Sequence, residues 1–184
     1  INPVGIKGVC QDALLHAYNN ATKTLKTLRD DLYNPEDVED FDECPYCGIN
    51  EPRTLDHYLP KEDFPEFSIL PINLIPICHV CNSGYKGVKF LSPANTRLFL
   101  NSYFDTFPIF DFISVDVHVA SDIEIEFGCT TYVGNPYFSE IFANHFSELG
   151  LRKRFLAKSA AEISRKRTSL NRIFSVNRSY SDVA

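Results

Sequence analysis

The stretch that decides the fold is CPYCGINEPRTLDHYLPKEDFPEFSILPINLIPICHVCN, residues 44–82. It contains two Cys-x-x-Cys pairs, Cys44 with Cys47 and Cys78 with Cys81. One such pair can be a redox motif, but two pairs at this separation can present four thiolates tetrahedrally to one zinc ion. We therefore predict a structural zinc site. His79 lies between two of the ligands and could replace one of them, although four thiolates already satisfy the ion.

Polar residues inside and just after this stretch form a second pattern. They are Asp56 and His57, Asn73, Asn82 and Lys86. Each residue alone is common in loops and turns, and Asp-His pairs occur by chance. A closed four-cysteine site has no open coordination position, so it does no catalysis and instead fixes the geometry of the segment between its pairs. Any chemistry would therefore come from the polar residues.

Together these residues resemble the motif of the HNH nuclease family. The matching elements are Asp56-His57, Asn73-Leu74 and Cys78-His-Val-Cys81-Asn82, with Lys86 four positions later, and they cover about residues 44–90. The resemblance implies an α+β fold, in which a zinc-stabilised ββα-metal (His-Me finger) core carries flanking helices and an additional β-hairpin.

The resemblance also implies a role for each residue. His57 would be the general base, Asp56 and Asn82 would hold a catalytic divalent ion, and Asn73 would brace the hairpin and orient His57. Oxygen donors of this kind suit Mg²⁺ or Mn²⁺. The implied products carry a 5′ phosphate and a 3′ hydroxyl. Because neighbouring strand residues point to opposite sides, we expect the hairpin that carries Asp56 and His57 to be bent.

The flanking segments follow simple periodic patterns. Apolar spacing predicts helices, alternation predicts a β-hairpin, and a run of acidic residues predicts a solvated linker. We assign a helix to 9–33, an acidic connector to 34–43, a hairpin to 111–127, and helices to 135–149 and 151–174. The predicted parts are 1–43 (N-terminal helix and connector), 44–90 (nuclease core) and 91–184 (C-terminal extension).

The remaining histidines and cysteines have simpler interpretations. His118 falls on the polar side of a predicted strand and should lie at the surface. His145 flanks an apolar helical stripe, which favours a packing role. Cys10 and Cys129 have no partner motif and are predicted to be buried thiols.

Charge is segregated along the chain. The net charge is −6, yet residues 151–184 hold nine Lys or Arg against two Asp or Glu. The last helix could therefore track a phosphate backbone. Its basic side could equally be solvated and balance the acidic remainder. The candidate nucleic-acid contacts are Lys86, Arg152, Lys153, Arg154, Lys158, Arg165, Lys166, Arg167 and Arg172.

Two function classes follow. The first is a metal-dependent DNA endonuclease, acting alone or as the cutting subunit of a restriction or phage-defence system. The alternative is a non-catalytic zinc-stabilised module that binds nucleic acid or a protein. Because one such site cuts one strand, a protein partner or homo-oligomer is expected for double-strand cleavage. The chain has no apolar run of about 20 residues and no signal-peptide pattern, so we expect a cytoplasmic protein without a membrane partner.

Overall fold

The computed structural model describes residues 7–33, 42–120 and 122–177. Within these ranges the chain is an α+β protein with two separate two-stranded antiparallel sheets. Its helices and strands are α1 (Val9–Asn19), α2 (Lys23–Tyr33), β1 (Thr54–His57), β2 (Leu74–Ile77), a π-helix (Val80–Lys86), β3 (Ile113–Val119), β4 (Ile123–Cys129), α3 (Pro136–Glu148) and α4 (Leu151–Asn177).

The single helix predicted over 9–33 is wrong, because the chain forms two helices there. Asn20 leaves helical geometry, and both its backbone N–H and its side-chain amide bond to the His16 carbonyl. The Thr22 hydroxyl then accepts from the Leu25 N–H and starts α2. Asn and Thr side chains compete with the helical backbone in this way, which explains the break. Most of the acidic connector, residues 34–41, lies outside the described residues.

β1 and β2 form a short ladder that stands between the two cysteine pairs. Each residue of β1 pairs with a single residue of β2, with Asp56 opposite Ile75 and His57 opposite Leu74. The predicted bend in this hairpin stays a prediction. Every residue of β2 is buried, and the chain leaves it through Cys78 directly into the π-helix.

The second hairpin, β3–β4, agrees with the alternation in the sequence. Its register runs from Ile113 opposite Cys129 to Val119 opposite Ile123. The turn residue Ser121 lies outside the described residues. The strands of the hairpin are half-buried or exposed throughout, and the half-buried Phe127 packs against Phe155 of α4 with ring centroids 5.5 Å apart. His118 is exposed, as predicted.

α3 and α4 meet at a tight corner. The Asn135 side chain accepts from the Phe138 N–H and caps α3, and Pro136 occupies its first turn. Gly150 has φ +59, a left-handed geometry that costs glycine little and ends the helix. α4 is longer than predicted, at 27 residues or roughly 40 Å. The predicted apolar stripe of α4 is buried only near its start, because Leu170 is 40% exposed.

One buried cluster joins the cysteine pairs to α3. The four cysteines pack with Tyr46, Phe99, Phe142 and other apolar residues from both sides of position 90. The predicted three-part division stays a prediction. His145 lies inside this cluster, which confirms its packing role. The prediction of buried thiols is wrong for Cys10, which is exposed on α1, and Cys129 is only half-buried.

No helix among residues 7–33, 42–120 and 122–177 is long and apolar enough to cross a membrane.

Candidate functional site

The four cysteines of the two Cys-x-x-Cys pairs come together in one buried group. All four Sγ atoms lie within 4.8 Å of one another, and Cys47 Sγ is 3.8 Å from Cys78 Sγ. A tetrahedral zinc ion with bonds of about 2.3 Å places its sulfur ligands roughly 3.8 Å apart. The chain therefore presents a ligand set and a spacing that could hold zinc.

The thiols of this group influence one another's protonation. Hydrogen bonding to neighbouring thiols raises the pKa of Cys44 to about 12 and raises that of Cys81, whereas the same kind of contact lowers the pKa of Cys47. Without a cation the group therefore favours few thiolates at once. Backbone N–H groups donate to Cys44 Sγ from Cys78 at 3.2 Å and to Cys78 Sγ from Cys81 at 3.4 Å. Such donors stabilise sulfur ligands that a metal has deprotonated.

Asp56 does not face open solvent, contrary to what its predicted role requires. Its side chain is 2% exposed, and its Oδ1 lies 3.0 Å from Lys86 Nζ, which is itself fully buried. The Tyr46 hydroxyl is 3.5 Å from Oδ2. Burial raises the pKa of Asp56 and lowers that of Lys86, and their mutual attraction only partly opposes this.

The prediction that Lys86 contacts a phosphate does not agree with the structure, because its ammonium group is buried against Asp56. Lys86 stands one π-helical turn beyond Asn82, and that turn directs it toward β1 rather than toward solvent. Its ammonium donates to the His57 carbonyl at 2.9 Å in addition to pairing with Asp56. The interior supplies a carboxylate and a carbonyl that satisfy the charge, so the side chain is held inside.

His57 occupies the last position of β1. Its Nε2–H donates to the Ser68 carbonyl at 3.0 Å, and the Tyr18 ring of α1 packs edge-on against it at 4.7 Å between centroids. A carbonyl only accepts, so Nε2 carries the proton and Nδ1 is the basic nitrogen. Burial lowers the pKa of His57 to about 4, which keeps the ring neutral near pH 7.

Asn73 ties the loop between the two strands to the end of β1. Its Oδ1 accepts from the Leu59 N–H at 2.8 Å, and its Nδ2 donates to the Leu59 and Phe67 carbonyls at 3.1 Å. Phe67 immediately precedes Ser68, whose carbonyl holds His57. The buried amide thereby fixes the group that orients the imidazole.

Asn82 connects the π-helix to β1. Its Nδ2 donates to Thr54 Oγ1 at 3.1 Å and to the Leu55 carbonyl at 3.3 Å. Both amide hydrogens are thus engaged, which leaves Oδ1 as the remaining ligand atom. His57 and Asn82 line one surface cavity of about 330 Å³ together with Lys61 and Glu62, and the largely buried Asp56 borders it.

The basic residues of α4 that were predicted to form one surface have different environments in the structure. Arg154 turns inward and donates to Cys81 Sγ at 3.3 Å, so it does not contribute to a solvent-facing row. Arg152 pairs with Glu126 of β4, and Glu162 pairs with Arg165 and Lys166 on α4 itself. The other predicted contacts on this helix are exposed, namely Lys153, Lys158, Arg167 and Arg172.

Three residues contribute to this site although no sequence pattern indicated a role for them. Ser68 acts through its backbone carbonyl, which no side-chain pattern reveals. Tyr18 reaches His57 from a helix almost forty residues away, and Tyr46 is an ordinary residue between two cysteines. Contacts of this kind depend on how the elements pack.

The fold and site therefore define an α+β protein with a buried four-cysteine cluster that could hold zinc. Protein ea31 of Escherichia phage lambda is 44% identical to this chain over 69 residues, which are 37% of this chain and 22% of that protein. The chain thus spans about a fifth of the length of this relative. No family model matches the sequence. No solved structure matches it.

Proposed function

We propose that this protein is a metal-dependent DNA endonuclease of the HNH type, with residues 44–90 as a zinc-stabilised ββα-metal core. The observation that carries the proposal is His57, a neutral imidazole with an oriented ring at the end of β1. It lines the same cavity as Asn82, and Asp56 borders that cavity. Two antiparallel strands followed by a helix carry these three residues, in the order that the resemblance implies.

A general base must be unprotonated at the working pH and must be held in one orientation. Burial lowers the pKa of His57 to about 4, which leaves the ring neutral near pH 7 but makes it a weaker base than a free imidazole, and the Ser68 carbonyl fixes Nε2 as the protonated nitrogen. Nδ1 can then accept a proton from a water that attacks a phosphodiester. Asn73 acts as a positioning residue, because it anchors the loop that carries Ser68.

A divalent ion would be held by the Asp56 carboxylate and by Asn82 Oδ1. These hard oxygen donors suit Mg²⁺ or Mn²⁺, which would offset the charge on the phosphate and its leaving oxygen. The donor chemistry fits, but Lys86 Nζ stands 3.0 Å from the same carboxylate. An ion bound at Oδ1 would therefore have to displace Lys86 from that oxygen.

This ion pair also favours a second candidate function, a non-catalytic zinc-stabilised module that binds nucleic acid or a protein. A carboxylate that already has a buried cation needs no divalent ion. In that case the exposed Lys153, Lys158 and Arg167 of α4 would contact a phosphate backbone. A role as the cutting subunit of a restriction or phage-defence system belongs to the first candidate only.

The test is nicking of supercoiled plasmid by zinc-loaded protein with Mg²⁺ or Mn²⁺. We expect the wild type to nick, and His57→Ala to lower the rate by about 10²–10⁴-fold, the usual contribution of a general base. His118→Ala removes an exposed histidine on the second hairpin and should nick at the wild-type rate. Zinc content and circular dichroism establish that each variant is folded.

Cleavage that is equally fast in His57→Ala would refute the base assignment. Cleavage that persists after the divalent ion is replaced by EDTA, with zinc retained, would refute the catalytic metal. Plasmid binding without nicking under all ions would support the binding module instead.

A further inference from the structure

The observation that leads beyond the proposed function is the environment of Arg154. Its Nη1 donates to Cys81 Sγ and to the Leu149 carbonyl, both at 3.3 Å, and its guanidinium carbon lies 5.2 Å from the centroid of the Tyr85 ring. Within the described part of the chain its Nη2 is buried and has no hydrogen-bond partner. A guanidinium with a buried, unpaired N–H group beside sulfur ligands needs a nearby negative charge to offset its desolvation.

The corner between α3 and α4 determines the position of Arg154. Leu149 and Leu151 are buried there, and a Cβ at Gly150 would lie 2.9 Å from Tyr85 Cε1. The corner is thus in close contact with Tyr85 of the π-helix. The first turn of α4 therefore holds Arg154 against the cysteine cluster, and flexibility of a surface side chain does not explain its position.

When the four thiolates hold zinc, the cluster carries a negative charge that can pair with the Arg154 guanidinium. Zinc with four thiolates carries a net charge of −2, and a buried negative charge is costly unless a cation and hydrogen bonds compensate it. Lys86, a fully buried cation in the same core, already pairs with Asp56. Arg154 is at hydrogen-bond distance from one ligand sulfur, and its delocalised charge tolerates partial burial.

We propose that Arg154 is a positioning residue of the four-cysteine metal centre, where it compensates the charge of the metal-bound thiolates and couples metal binding to docking of α4. Coupling of this kind is reciprocal. Metal in the cluster holds the first turn of α4 in place, and the docked turn strengthens metal binding. The proposal does not depend on nuclease activity, because it concerns only the thiolate cluster and α4.

The experiment measures zinc affinity by competition with a chromophoric chelator in wild type, Arg154→Met, Arg154→Lys and Lys153→Met. We expect Arg154→Met to weaken zinc binding by about 10–100-fold, as loss of an outer-shell partner commonly does. Arg154→Lys retains the charge and should bind more tightly than Arg154→Met. Lys153→Met removes an exposed charge from the same turn and should match the wild type.

Two further readouts separate charge compensation from simple packing. In the cobalt-loaded protein, Arg154→Met should shift the thiolate-to-cobalt charge-transfer band, because the hydrogen bond to Cys81 is lost. Hydrogen exchange at the start of α4 should accelerate when zinc is removed from the wild type, and should accelerate in zinc-loaded Arg154→Met.

The proposal is overturned if Arg154→Met lowers stability but leaves zinc affinity and the cobalt spectrum unchanged. It is also overturned if exchange at the start of α4 is the same with and without metal. If Arg154→Met does not fold, Arg154→Lys decides the question, since its affinity and cobalt spectrum must still differ from the wild type.

Discussion

Replacement of Lys86 by Met tests the most unusual feature of the site, the buried ion pair with Asp56. Met retains much of the unbranched side chain but removes the ammonium group. The ammonium lies 3.0 Å from Asp56 Oδ1 and donates to the His57 carbonyl at 2.9 Å. Within the described part of the chain, the Asp56 carboxylate then keeps the long 3.5 Å contact with the Tyr46 hydroxyl. We expect a loss of about 3–5 kcal/mol in the free energy of unfolding, as when one partner of a buried pair is removed.

The loss of unfolding free energy in Lys86→Met should depend on pH, and the direction follows from the protonation of Asp56. Its pKa is already raised by burial, and removal of Lys86 raises it further because the main opposing charge is gone. The folded variant then retains a proton that the unfolded chain releases above about pH 4. Stability of Lys86→Met should therefore decline, relative to wild type, as the pH rises from about 4 to 7.

The assay is urea unfolding in excess zinc, with Asp56→Asn, Lys86→Met and the double variant forming a double-mutant cycle. The matched control is Lys89→Met, which breaks the exposed pair with Glu148. That control should cost less than about 1 kcal/mol. If Lys86→Met costs no more than Lys89→Met, the buried-pair reasoning is refuted.

The same variants test whether Asp56 can bind a divalent ion. With the ammonium gone, Mg²⁺ or Mn²⁺ would meet no competing cation at the carboxylate and should stabilise Lys86→Met by mass action. Asp56→Asn/Lys86→Met should show no such effect. Equal stabilisation of both variants would locate the ion elsewhere.

Two further predictions concern the other buried histidine and the helix that covers His57. Burial lowers the pKa of His145 to about 4, while the unfolded value is about 6.5, so protonation favours unfolding. This residue alone should lower the free energy of unfolding by roughly 2 kcal/mol as the pH falls from 7 to 5. His145→Gln should reduce the pH dependence of the urea midpoint in excess zinc, and an unchanged dependence would contradict this. Tyr18→Ala should speed modification of His57 by diethyl pyrocarbonate, because the ring that packs against the imidazole is gone. Tyr132→Ala, at a distant half-exposed tyrosine, is the control. Equal rates of His57 modification in the two variants would show that the Tyr18 ring does not shield His57.

Local patterns in the sequence predicted much of the framework. Alternation within residues 111–127 predicted the second hairpin, and apolar spacing within residues 135–149 predicted α3. The Cys-x-x-Cys spacing predicted the four-cysteine cluster, because each pair places two sulfurs on one tight turn. These features depend on residues close together in the chain, so periodicity and spacing suffice to reveal them.

The division of roles among the basic residues could not be predicted in this way. Lys86 and Arg154 resemble solvated cations in the sequence, yet one is enclosed with Asp56 and the other meets Cys81. Burial of a cation depends on whether a distant element supplies a compensating charge, and no local pattern contains that information. The break after Asn19 was missed for a smaller reason, because side-chain hydrogen bonds at Asn20 and Thr22 outweighed a continuous apolar period.

By itself, therefore, the sequence determined the four cysteines of the buried cluster, the candidate residues Asp56, His57, Asn73 and Asn82, and most of the secondary structure. Only the tertiary structure decided which side of each element meets another. It buried Asp56 against Lys86, placed Tyr18 on His57 and brought Arg154 to the cysteine cluster. The physical reason is that ligand spacing and hydrophobic period are properties of short segments. Desolvation and charge compensation arise only when segments far apart in the chain exclude water together.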